Sequence, residues 1–104
     1  MVALEIERRG WDFGYATTSA GYEVDFAARD HEGAAWAIQV VSDPTTPGVL
    51  ERELRALQDL RAGAPSVRCL LLTLNEVDAT TLSRIPAQIA TLPVWQWCLQ
   101  GEER

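Results

Sequence analysis

Lysine is missing from this chain. Its nine cations are all arginine, and a guanidinium does not deprotonate, so none of them can stand in for a lysine base. Histidine is scarce as well. His31 is the only one, in a polar loop without partner cysteines, which argues against a zinc site and reads as a surface residue. Two cysteines, Cys69 and Cys98, stand far apart in apolar contexts. They read as buried reduced thiols, with a disulfide or metal pair as the alternative. No apolar run approaches the ~20 residues of a membrane helix. The N-terminus, Met-Val-Ala-Leu-Glu-Ile-Glu-Arg-Arg, is too acidic and too short in its apolar part for a signal peptide. The expected compartment is therefore the cytoplasm, with no membrane partner. No phosphate-binding G-x-x-x-x-G-K-[ST] loop occurs, so the chain is not itself a nucleotide hydrolase of that type. Ser42 and Ser83 have no base nearby in sequence.

What is present suits one small domain spanning 1–104. Hydrophobic residues make up 47% and charged residues 23%, ordinary for a globular chain. The net charge is −6, whereas a protein that grips a phosphate backbone usually carries a basic face. Nucleic acid is thus disfavoured as a partner, though it stays open. The arginine bias fits either genome composition or selection for phosphate contact.

Leu4 to Arg9, closed by Gly10, reads as the end of a helix, with two cations at the negative end of its dipole. It has no capping residue in front, so it either starts upstream in a longer parent chain or is cut short by Met1. Trp11 to Thr17 alternates as a strand, and Thr18 to Gly21 is a turn. Tyr22 to Ala28 is a second strand, with Tyr22, Val24 and Phe26 expected on one side and Glu23 and Asp25 on the other. After a polar hairpin loop, Ala34 to Val41 is more continuously apolar and is expected to be central. Ser42 to Gly48 leads into a helix running to about Ala62, in which Leu50, Leu54 and Leu57 recur at helical spacing and Glu51 pairs with Arg55. Val67 to Leu74 reads as a buried strand, parallel to its neighbour through the helical crossover. A polar stretch with one helical turn follows. Ala87 to Thr91 is a short strand, and Pro93 to Gln100 a terminal helix with Pro93 in its first turn. The order predicts an α/β fold with a mixed central sheet.

Two residues break the apolar pattern where chemistry could sit. Asp25 lies mid-strand, where acids are depleted. It is either a solvated group on a half-exposed hairpin or a metal-ligating carboxylate. Gln39 interrupts Ala37-Ile38-x-Val40-Val41, and a glutamine there must be hydrogen-bonded or face a cleft. Glu5 on the first helix reads by itself as solvent-exposed. Trp95 and Trp97, with Val94, read as core or docking surface.

Taken in order, Leu4-Glu5-Ile6-Glu7-Arg8-Arg9-Gly10, Gly21-Tyr22-Glu23-Val24-Asp25-Phe26, Ala37-Ile38-Gln39-Val40, Glu51-Arg52-Glu53-Leu54, Leu70-Leu71-Leu72-Thr73-Leu74 and Leu92-Pro93-Val94-Trp95-Gln96-Trp97 resemble a known pattern. It is that of the C-terminal domain of a family of prokaryotic AAA-type ATPases, a domain of unknown function with a PD-(D/E)XK, restriction-endonuclease-like fold. The resemblance covers nearly the whole chain and implies an αβββαβ core. It places Glu5 at the helix acid, Asp25 at the strand metal ligand and Gln39 at the second ligand position. Val41 falls where a lysine would orient or activate the attacking water, with the acids holding Mg²⁺. The amide removes one charge from such a metal site, and the valine removes the cation. Loss of one such group costs ~10²–10⁴ in rate. Arg52 could reach the site by charge but not act as a base. The implied function is a catalytically degenerate nuclease-like module, vestigial at Glu5, Asp25 and Gln39. It would need no cofactor and would bind an AAA-type ATPase domain or another protein. The alternatives are a Mg²⁺-dependent nuclease cleaving DNA or RNA, and a nucleic-acid-binding domain that does not cleave.

Overall fold

The most apolar segments of the chain become the middle of a sheet. β3 (Ala35–Val41) and β4 (Arg68–Thr73) pair in parallel, with Ala37 beside Cys69 and Gln39 beside Leu71. Strands covered on both faces have no polar side to show, which is why these two read as continuous apolar runs. β1 (Asp12–Thr17) and β2 (Glu23–Arg29) form an antiparallel meander leading into β3, and β5 (Ile89–Pro93) adds in parallel beyond β4. The result is a five-stranded mixed sheet in the order β1-β2-β3-β4-β5. This computed structural model describes residues 2–18 and 20–102, with side chains to residue 100. Met1, and Ser19 of the expected turn, lie outside the described residues.

Helices cover both faces. α2 (Val49–Gly63) lies on one, where Leu50, Leu54 and Leu57 pack with Val24, Ala37, Val41, Cys69 and Leu71. Leu50 and Leu57 are fully buried, and each such side chain stabilises the fold by about 1.5–3 kcal/mol. α1 (Val2–Arg8) and α4 (Val94–Glu102) share the other face, where Val2, Ile6, Val94 and Trp97 pack with Trp11, Ile38, Leu70 and Leu72. Cys69 belongs to the first core and Cys98 packs against the second, so the sheet separates the two sulfurs. A single turn, α3 (Ala79–Leu82), is capped by Asp78, which accepts from Thr81 N.

α1 ends as its sequence suggests. Gly10 adopts φ +76°, its N–H donates to Glu7 O, and Trp11 N–H donates to Ile6 O. That is the glycine-terminated hydrogen-bond pattern that satisfies the last carbonyls of a helix. His31, expected to be surface decoration, closes this corner: its Nε2 lies 2.5 Å from Arg9 O, and the carbonyl can only accept. The ring also stands against Gly10, where an added Cβ would lie 3.0 Å from His31 Cε1.

Three local expectations change. Val24 and Phe26 do not share a face: Val24 packs under α2 and Phe26 on the α1/α4 side. The cause is an irregularity in the β1–β2 ladder, where Gly14 pairs with Ala27 but Ala16 pairs with Val24. The extra β2 residue flips the alternation. Pro93 ends β5 rather than opening α4. Glu51 forms its ion pair with Arg84, from the loop after α3, and not with Arg55. Among the described residues no helix is long and apolar enough to cross a membrane.

Candidate functional site

The β2–β3 ladder runs from Arg29↔Ala35 to Phe26↔Ile38 and then stops. Beyond that point two side chains replace the backbone pairing. Asp25 N–H donates to Gln39 Oε1 at 2.5 Å, and Val40 N–H donates to Asp25 Oδ2 at 2.9 Å. Each residue thus satisfies a backbone N–H on or beside the other's strand. The same β2 irregularity that sends Val24 and Phe26 to opposite faces lies at Asp25. A bulge leaves its residue out of the ladder and re-aims the side chain.

Gln39 is 1% exposed, yet its amide is fully used. Besides accepting from Asp25, its Nε2 donates to Glu53 Oε2 at 2.7 Å and to Glu23 O at 3.3 Å. A buried amide with an unmet donor or acceptor costs about 1–3 kcal/mol, and here none is unmet. Among the described residues no buried side-chain nitrogen or oxygen lacks a partner. Asp25 and Gln39 are therefore brought together, and Glu53 of α2 joins them.

In the sequence, Glu53 stands only within the string Glu51-Arg52-Glu53-Leu54, without a role of its own. The signal for it was present. Glu53 falls three residues after Leu50 and four before Leu57, on the stripe that α2 buries, so an acid there needs a polar partner. Burial, and then the negative charge of Asp25, push the Glu53 carboxyl above its ordinary value, and the charge of Arg52 opposes this. The Arg52 guanidinium stands 3.7 Å from Glu53 and is largely in solvent.

Val41 lies in the α2 core at 1% exposure. Glu5 is not part of this cluster. It belongs to α1, whose core lies across the sheet, and it is 5% exposed rather than solvated. Its carboxylate accepts from Arg8 Nε (2.9 Å), Arg8 Nη2 (3.0 Å) and Arg9 Nε (2.6 Å). Arg9 is itself buried, 4.1 Å above the Trp97 ring and 5.2 Å from that of Trp11, and donates to Trp97 O. The Glu5–arginine group ties α1 to α4.

Among the described residues, no three His, Cys, Asp or Glu side chains gather as a metal-holding group. Comparison with protein-family models, with curated proteins and with solved structures returns no match.

Proposed function

We propose that this domain is a nuclease-like module, restriction-endonuclease-like in its αβββαβ core, that has lost catalysis and serves as an interaction or regulatory domain beside an AAA-type ATPase. The observation that carries the loss of catalysis is the Asp25–Gln39 clasp. A hard cation such as Mg²⁺ takes free carboxylate oxygens in octahedral geometry. Here one Asp25 oxygen holds Val40 N–H, both ends of the Gln39 amide are engaged, and one Glu53 oxygen holds Gln39 Nε2. The residues fit a structural closure better than a metal cage, and Val41 offers no cation for an attacking water. The ATPase association rests on the sequence strings alone.

The test is cleavage of plasmid DNA and of RNA in Mg²⁺ or Mn²⁺, with Asp25→Ala as the control. The expected result is no Asp25-dependent cleavage with either metal. Robust cleavage that Asp25→Ala abolishes would overturn the reading. One observation favours a second reading, an active Mg²⁺-dependent nuclease: Glu53 supplies, beside Asp25, the carboxylate that Gln39 lacks. The same assay on Glu53→Gln separates the two, since only the nuclease reading makes Glu53 matter for cleavage.

A further inference from the structure

Where α2 ends, a cavity of about 410 Å³ lies between the helix and the starts of β4 and β5. Its apolar walls are Leu57, Ala62, Pro65, Pro86 and Ile89, and the buried Cys69 also lines it. The size falls within the ~300–1,000 Å³ of small-molecule sites, which are mostly apolar with a few polar groups that orient the ligand. The two proline rings restrict the backbone on either side, so the cavity is largely preformed. Leu57, Cys69 and Ile89 belong to the core under α2, and an apolar ligand here would extend that core.

The charge that lines this space is positive. Arg61 borders the cavity and no Asp or Glu does, in a chain of net charge −6. Among the described residues, Arg61 pairs with no carboxylate. Burial pushes the Cys69 thiol up, and Arg61 is the charge that opposes it, so the guanidinium acts on the cavity. The protonated thiol sets no charge against an anion. A helix C-terminus disfavours anions through its unmet carbonyls. Here Leu57 O faces Cys69 Sγ at 3.8 Å, and Leu60 O and Arg61 O accept from Ala64 N–H. We propose that this cavity binds a small monocarboxylate with an apolar tail, its carboxylate on Arg61 and its tail against Leu57, Pro86 and Ile89. A guanidinium offers the paired donors that a carboxylate takes. No residue of the Asp25–Gln39 clasp lines the cavity, so the inference holds whether or not that cluster is inert.

The test titrates the ¹⁵N-labelled full chain with octanoate at pH 7, with octan-1-ol as the uncharged control. The amide signals of Ala62, Cys69 and Gln88 should shift saturably with octanoate, at a Kd of about 1 mM or tighter, the scale for a ligand of this size. Octan-1-ol should bind more weakly. Arg61→Gln should weaken octanoate by about 10-fold, the scale of a charge-assisted hydrogen bond, and leave octan-1-ol unchanged. Arg61→Lys should keep most of the octanoate affinity. A wild type without saturable shifts would sink the proposal. So would octan-1-ol binding as tightly as octanoate, or an Arg61→Gln variant that keeps both affinities or loses both alike. Shifts centred on Trp95 and Leu99, exposed apolar residues of α4, would put the ligand elsewhere and also overturn it.

Discussion

The sheet buries acids on both its faces and treats them in opposite ways. Across α1 and α4, Glu5 is met by cations: two guanidiniums reach it, and one of them lies against two tryptophan rings. Under α2, Glu53 faces another acid, Asp25, and the link between the strands and α2 is a neutral amide. One cluster is compensated by buried charge; the other rests on hydrogen bonds, with only the largely solvated Arg52, 3.7 Å from Glu53, to set against two carboxylates. A compensated buried pair is costly to break because the surviving charge is stranded. A cluster with surplus negative charge has the reverse property, since removing a charge relieves it.

The largest effect should come from breaking the compensated side. Glu5→Ala leaves Arg9, 7% exposed at its side chain, without its carboxylate, and should cost about 3–5 kcal/mol in urea unfolding. Small domains have about 5–15 kcal/mol in total, so this variant should lose a large share of its stability. A loss below about 1 kcal/mol would mean that the ion pair behaves as a surface one. On the other side, Gln39→Leu keeps the bulk but leaves the Asp25 N–H and a Glu53 oxygen unmet, at about 1–3 kcal/mol for each buried group. Gln39→Glu should also destabilise at neutral pH, by crowding a third carboxylate against two. Paired with Val41→Lys, it should create measurable Mn²⁺ affinity. No gain in calorimetry would show that the cleft has lost the geometry as well as the ligands.

A smaller effect belongs to the corner that holds Arg9 in place. Gly10→Ala meets two penalties, a left-handed φ and a Cβ 3.0 Å from His31. It should cost about 1–2 kcal/mol, the range for one L-residue held in the left-handed region. His31→Ala in the same background should recover part of that loss by clearing the contact. No recovery would place the cost in the backbone alone.

How far these differences could be read beforehand depends on what set them. The helical stripe of α2, the apolar run of β4 and the glycine stop of α1 follow from spacing and from single-residue conformational preference, and the structure has them nearly where the pattern puts them. Gln39 was legible as an anomaly because an amide in a central strand must find partners. Glu53 is its partner, fourteen residues along the chain. That contact is visible only once α2 is laid over β3. The β2 bulge is likewise a pairing property: nothing in Val24-Asp25-Phe26 alone announces that Val24 and Phe26 will part. Glu5 reads as exposed from sequence because, although Arg8 and Arg9 that compensate it are neighbours, its burial comes from α4 near the other end of the chain, where Trp97 holds Arg9.

The smallest expected change is the one that sharpens the contrast most, because its sign differs from the rest. Glu53 has its carboxyl held above the ordinary value of 4.5 by burial and by Asp25. Between that value and the raised native one, the folded chain keeps a proton that the unfolded chain has released. Stability attributable to Glu53 therefore rises as pH falls through this window, and the penalty is fully present above it. Glu53→Gln removes the charge and retains an oxygen to accept from Gln39 Nε2. It should be slightly more stable than the wild type at pH 7, and the difference should vanish as the pH approaches 4. Asp30, Asp43 and Asp78 behave oppositely. Their carboxyls are held below 3.8 by hydrogen bonds, chiefly from Trp36, Thr45 and Thr81 respectively, so their contribution is lost only at lower pH. The aspartate contributions fade only toward the acid end of the range, and the difference in urea midpoint between wild type and Glu53→Gln from pH 4 to 8 isolates Glu53. A Glu53→Gln variant less stable than the wild type at pH 7 would mean that the carboxylate is compensated after all, and that the two faces of the sheet solve the same problem in the same way.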